Sequence, residues 1–221
     1  MLYCSIALLF PVVADIIPAR DRETIEFATH LLRQGELIVY PTDTVYGIGA
    51  AVSNEEAIRR LYSIKGRSPD KPVPLLLADM ADVPKIAEPP AVFRKLADRF
   101  WPGALTIVVP RRQGFRSLAL AGQDTVGLRV PDEDVTRDII HTLGEAITGT
   151  SANRSGQTAP TSAAQAAMQL GDLVSIVIDA GPRGRGQEST VIDITQAAAK
   201  IVRQGAVSRE ELVGVLGQGL E

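Results

Sequence analysis

Lys65-Gly-Arg67 sets two cations two residues apart on a glycine-containing turn. Cations that close repel each other unless an anion lies between them, and phosphate is the usual anion. Upstream, Pro41-Thr-Asp-Thr-Val-Tyr-Gly47 follows the apolar run Leu37 to Tyr40 and offers hydroxyls from Thr42, Thr44 and Tyr46. An apolar strand that opens into a polar loop is where open α/β sheets hold ligands. The two segments point to an enzyme that handles a phosphorylated ligand. The bland alternative is a solvated basic turn, and it weakens because Lys71 and Pro72 run straight into a further apolar segment.

Other polar residues are candidates with competing readings. Ser151 and Asn153 form a Ser-x-Asn pair in a glycine-ended loop. They serve either as local turn chemistry or as donors to phosphate or ribose oxygens. Arg203 follows Ile201-Val202, either as a surface residue or as a fork for phosphate at a strand end. Arg129 alternates with apolar neighbours in Val126-Gly-Leu-Arg-Val130, so it needs an anionic partner. A substrate carboxylate or an internal Asp serves equally. The Arg183/Arg185 loop reads as a solvated hairpin tip or a flap over an anionic ligand. His30 and His141 have no nucleophile or ligand pattern nearby. The known phosphate-loop, dinucleotide, nucleophile-elbow and zinc-protease signatures are absent from the sequence.

The elements that must position these residues follow from apolar spacing. Helices are expected over 21–33, 53–62, 91–100, 134–143 and 162–170, with a short last one from Ser208. Ser53 is the expected N-cap of the second, with Glu56 completing a capping box. Strands are expected over 37–40, 73–78, 105–109, 125–130, 146–148, 174–179, 189–194 and 199–203. Trp101-Pro-Gly-Ala104 reads as a structural corner. The fold class is α/β, a single domain with a twisted mixed sheet flanked by helices. Residues 15–214 form that domain, 1–14 an N-terminal tail or extra strand, and 215–221 a C-terminal tail.

The 221 residues are 45% apolar, enough for a full core. With 23 basic and 26 acidic residues the net charge is −3, which gives no global sign of a nucleic-acid coat protein. One cysteine, Cys4, and two histidines exclude a disulfide framework and disfavour a Cys/His zinc site. The apolar start lacks the basic region of a signal peptide, and the sequence contains no membrane-spanning run. A cytoplasmic protein is expected.

Read together, Pro41 to Gly49, Lys65-Gly-Arg67, Trp101 to Thr106, Val126 to Pro131, Ser151 to Gly156, Glu188-Ser-Thr-Val191 and Val202-Arg203 resemble the YrdC/Sua5 family. These are the L-threonylcarbamoyladenylate synthases. The resemblance runs from about Arg20 to Val207, and the chain looks like the family's short, single-domain form. It implies the conversion of L-threonine, bicarbonate and ATP, with Mg2+, to threonylcarbamoyl-AMP and pyrophosphate. A threonylcarbamoyl transferase machinery then uses the product to modify tRNA, with a tRNA contact by this chain as a further implication.

By the same resemblance, Thr44, Arg129, Gly149 and Ser189 hold threonine, with Arg129 on its carboxylate. Lys65, Arg67, Lys71, Thr125, Ser151, Asn153 and Arg203 hold ATP, with Lys65 and Arg67 as the catalytic pair, and no protein metal ligand is named. Three departures stand out: Leu76 where some members carry His, Ala159 where many carry Ser, and Gln204 in place of Pro. The competing function is a tRNA or double-stranded-RNA binding module of the same fold without synthase activity.

Overall fold

The computed structural model describes residues 14–19, 21–183 and 186–221. In chain order the elements are β1 (Asp15–Pro18), α1 (Arg22–Arg33), β2 (Ile38–Tyr40), β3 (Gly47–Gly49), α2 (Glu55–Lys65), β4 (Leu75–Leu76), α3 (Val83–Ile86), α4 (Val92–Phe100) and β5 (Leu105–Pro110). They continue with β6 (Thr125–Arg129), α5 (Asp134–Leu143), β7 (Ile147–Thr148), β8 (Thr150–Ser151), α6 (Ala163–Leu170), β9 (Ile176–Asp179), β10 (Thr190–Asp193), β11 (Lys200–Arg203) and α7 (Arg209–Leu216).

The α/β class holds, but the strands form two mixed sheets rather than one. The first has the order β1-β9-β2-β3-β8 and the second β11-β10-β5-β6-β4-β7. Parallel pairs (β2 with β9, β5 with β10) adjoin antiparallel ones (β2 with β3, β5 with β6) in each. The chain leaves the second sheet at β7 and enters the first at β8, and Gly149 is the single residue between them. Its N–H donates to Pro74 O at 2.7 Å, which fixes that corner. Sequence periodicity misses β3 and β8 because they are only three and two residues long, too short for an alternating pattern.

Several expected boundaries move, each for a local reason. Asn54, not Ser53, caps α2: its side chain accepts from Ala57 N at 2.9 Å. Ser53 instead bonds Glu145 through both N (2.9 Å) and Oγ (2.8 Å), so the expected box with Glu56 does not form. α2 runs past Tyr62 to Lys65, and Gly66 ends it at φ 60°, a left-handed conformation that glycine adopts without a Cβ clash. The expected strand over 73–78 shrinks to Leu75–Leu76, since Pro72 and Pro74 have no N–H for a ladder. The segment 215–221 is not a loose tail. Ala199 N donates to Gly219 O at 2.8 Å and Glu221 N to Ala199 O at 2.9 Å, docking it beside β11. The expected tail or strand over 1–14 lies outside the described residues except for Ala14.

The core lies between the sheets and their helices. Leu37, Leu61, Leu75, Leu96, Leu105 and Leu128 are fully buried within it, each contributing about 1.5–3 kcal/mol of apolar burial. Trp101 packs edge-on against Phe93 at 5.4 Å and donates from Nε1 to Leu105 O, so the expected corner is a packed one. No helix among the described residues is long and apolar enough to cross a membrane.

Candidate active site

One cavity of about 470 Å³ opens between the two sheets. Its floor is one face of the second sheet. Alternation along β6 turns Thr125, Gly127 and Arg129 toward it, and Thr106 and Val108 do the same from β5. Leu76 pairs with Arg129, and Val108 with Gly127, so Leu76 and Arg129 share one end of the floor while Thr125 lies at the other. Ser189, Val191 and Asp193 border it on the β10 side. The first sheet supplies Tyr40, Gly47 and Ser151, and the loop after β2 supplies Thr42 and Thr44.

At the Arg129 end the guanidinium is held on three sides. Nε donates to Gly103 O (2.8 Å), Nη1 to Thr44 Oγ1 (3.1 Å) and Nη2 to Asp43 Oδ1 (2.5 Å). The internal-Asp reading of Arg129 is therefore realised. Two N–H groups of the five-donor fork are left over, which is what a carboxylate ligand requires. Thr44 Oγ1 lies 2.9 Å from Thr42 Oγ1, and Thr42 Oγ1 donates to Val45 O at 2.6 Å. Ser189 Oγ lies 2.9 Å from Thr106 Oγ1, and both residues are buried. Gly149 closes this end, where a Cβ would meet Leu76 Cδ2 at 2.8 Å. Tyr40 underlies Gly47 and Gly49, and burial pushes its phenol pKa well above the ordinary range.

The other expected residues divide into those on the wall and those behind it. Arg67, Lys71, Thr125, Ser151 and Arg203 line the cavity. Arg67 is fixed by Lys71 O (3.2 Å) and Pro72 O (2.8 Å), so its charge has no acidic partner among the described residues. Arg203 bonds Glu188 Oε2 at 2.7 Å, Ser189 O at 3.0 Å and Ser189 Oγ at 3.2 Å.

Lys65 and Asn153 are not in that wall. The Lys65 ammonium is buried and donates to Ser151 O (2.5 Å) and Asn153 O (2.7 Å). Burial lowers its pKa to about 8, the Arg67 charge adds to this, and Glu188 opposes it. The expected pair of free cations on one turn thus becomes one buried lysine, which ties down a loop, and one arginine facing the cavity. Asn153 donates from Nδ2 to Arg154 O and Gln157 O, while its Oδ1 is buried without a partner.

Sequence reasoning gave Asp43, Thr106 and Glu188 no roles, although all three stand inside the motifs that carry the family resemblance. A charged residue between two hydroxyl candidates was the signal for Asp43. The period-2 pattern of β5 was the signal for Thr106. Arg183, open between hairpin tip and flap on sequence alone, is tied by Nη1 to Glu133 Oε2 at 2.6 Å; its loop companion Arg185 lies outside the described residues.

A family model described as Sua5/YciO/YrdC, telomere recombination, matches residues 30–205. A Bacillus subtilis protein named threonylcarbamoyl-AMP synthase is 35% identical over 93% of this chain and 60% of its own length. A Mycobacterium tuberculosis protein named putative threonylcarbamoyl-AMP synthase is 37% identical over 90% of this chain and 92% of its own. The crystal structure of Pyrococcus abyssi Sua5 complexed with L-threonine superposes with a TM-score of 0.87 at 36% identity, over 91% of this chain and 61% of that one. The chain thus spans about three fifths of the Bacillus and Pyrococcus proteins. By family model and by fold, the chain belongs to the Sua5/YciO/YrdC family.

Proposed function

We propose that this chain is a threonylcarbamoyl-AMP synthase, joining L-threonine, bicarbonate and ATP into threonylcarbamoyl-AMP with release of pyrophosphate and water. One observation carries the reading. A fixed arginine fork with flanking hydroxyls (Arg129, Thr44, Ser189) shares a single cavity with three cations (Arg67, Lys71, Arg203). The first group suits an amino-acid carboxylate and the second a polyphosphate.

The chemistry asks for positioning more than for a nucleophile. The threonine amine displaces hydroxide from bicarbonate carbon, and the hydroxide leaves as water with an amine proton. A carbamate oxygen then attacks the α-phosphorus, and the P–O bond to pyrophosphate breaks. Held in one cavity, the reactants gain from proximity, and Arg67, Lys71 and Arg203 stabilise charge growing on the leaving group. Neither histidine lines the cavity, consistent with this division of labour.

Magnesium fits as the partner of the triphosphate. The cavity wall carries one carboxylate paired with its cations, Glu188. That donor suits Mg2+ shared with phosphate oxygens, whose charge it would neutralise. The reading also implies a threonylcarbamoyl transferase acting on tRNA as the consumer of the product, and the cytoplasm as the compartment.

Pyrophosphate release measured with each substrate omitted in turn tests the proposal. Release is expected only when ATP, threonine and bicarbonate are all present. ATP turnover indifferent to threonine would overturn it, and RNA binding with no turnover would favour a binding module.

A further inference from the structure

The cavity that gathers Arg67, Lys71 and Arg203 also contains an acid among them. Glu188 Oε2 lies 2.7 Å from Arg203 Nη1, and Glu188 faces the same space as the cations. Its charge is also felt by Lys65 behind the wall. A carboxylate there opposes an incoming polyphosphate, since like charges at contact repel. It also occupies the arginine that the phosphates would use. Asp193, the other carboxylate of the wall, commits Oδ1 to Thr195 N (2.8 Å) and Thr195 Oγ1 (2.6 Å) as a turn cap.

A divalent cation resolves both conflicts. Mg2+ in nucleotide sites is held by phosphate oxygens and one or two carboxylates. Placed between Glu188 and the phosphates, it turns a repulsion into a bridge and releases Arg203 for a charge-assisted contact with phosphate. The number of opposite-charge contacts is then conserved: the acid passes from arginine to metal, and the arginine from acid to phosphate.

We propose that Glu188 is the carboxylate that receives the divalent cation of the metal–nucleotide complex, and that its ion pair with Arg203 is the resting state of this exchange. The proposal rests on the nucleotide half of the function proposed above. It gives Glu188 a role that Ser189, its neighbour at the amino-acid end, cannot share, because a hydroxyl carries no charge to offset.

Calorimetric titration of ATP with Mg2+ or with EDTA tests it, using wild type, Glu188→Gln and Asp193→Asn. Wild type is expected to bind ATP at least roughly tenfold more tightly with Mg2+. In Glu188→Gln, metal-free ATP should bind more tightly than in wild type, and most of the magnesium enhancement should vanish. Asp193→Asn should keep that enhancement, and its loss there would overturn the assignment. If Glu188→Gln tightens ATP equally with and without Mg2+, Glu188 merely competes with phosphate and the metal role is overturned. Should Glu188→Gln fail to fold, Glu188→Asp carries the test. Drawing the carboxylate back by one methylene should weaken the enhancement, and an unchanged enhancement overturns the role. No ATP binding by wild type under either condition overturns the nucleotide reading itself, a different failure.

Discussion

Arg129 and Asp43 form an ion pair at 2.5 Å with side chains only 7% and 17% exposed, and Asp43 Oδ1 also accepts from Asp132 N at 3.0 Å. The acid is not in the cavity wall, so it acts through the arginine: it fixes the plane of the fork that faces the cavity. Arg129→Lys should raise the apparent KM for threonine at least roughly tenfold and leave that for ATP nearly unchanged, because an ammonium cannot make a planar two-point contact. Asp43→Asn should move threonine KM in the same direction by less, since the amide oxygen still accepts. Asp43→Ala strands a buried cation and should lower stability by about 3–5 kcal/mol. Equal changes in both KM values would mark Arg129 as a purely structural ion-pair partner.

Lys65 and Arg67, neighbours on one turn, should separate in experiment. Arg67→Ala removes a cation from the cavity wall and should cut pyrophosphate release roughly 10²-fold with stability intact. Lys65→Met removes the tie to Ser151 O and Asn153 O, so its loss should appear in both stability and turnover. Burial lowers the Lys65 pKa from 10.5 to about 8, so between those values the unfolded chain holds the proton more tightly. Wild-type stability should therefore rise between pH 8 and pH 10.5 relative to Lys65→Met, with a slope of at most about 1.4 kcal/mol for each pH unit. A difference independent of pH in denaturant titrations would count against this buried cation.

The legible parts of the sequence were those that short-range rules control. Apolar spacing located α1, α4, α5 and α6, hydroxyl and cation patterns located Thr44, Arg67, Arg129 and Arg203, and the family resemblance added Ser189; the fold brings these five side chains into one cavity. What escaped depended on contacts remote in sequence. Ser53 was a sound cap until Glu145, 92 residues away, claimed it. Lys65 read as a cation facing a phosphate beside Arg67 because nothing local shows that the Ser151 and Asn153 carbonyls cover it. The division into two sheets hangs on β3, β8 and the single corner residue Gly149, too short for any periodicity.

That corner makes a prediction of its own. A Cβ on Gly149 would stand 2.8 Å from Leu76 Cδ2 and 2.9 Å from its Cγ. Leu76 must then yield into the cavity beside Arg129, where the amino acid is proposed to lie. Gly149→Ala should weaken threonine binding roughly tenfold while ATP binding persists, the scale of a contact moved by less than an ångström. Leu76→Ala in the same chain removes the clash and should restore threonine affinity at some cost in stability. If the double variant binds no better than Gly149→Ala alone, the clash is not the cause.

Ser151 and Asn153 share a loop but should respond differently. The Ser151 residue lines the cavity, and its hydroxyl has no partner among the described residues. Asn153 is buried and holds the loop through Arg154 O and Gln157 O. Ser151→Ala should leave the unliganded melting temperature unchanged and reduce the upward shift produced by ATP. A ligand stabilises by RT ln(1 + [L]/Kd), so weaker binding appears directly as a smaller shift. Asn153→Ala should lower the stability of the unliganded protein by about 0.5–1.5 kcal/mol, because the loop loses the side-chain amide that bonds Arg154 O and Gln157 O. It should lower the ATP shift as well if its unpaired Oδ1 is completed by the nucleotide. Melting curves of both variants with and without Mg–ATP decide the matter. A full ATP shift in Ser151→Ala would remove that hydroxyl from the binding site, and no shift even in wild type would favour the RNA-binding module.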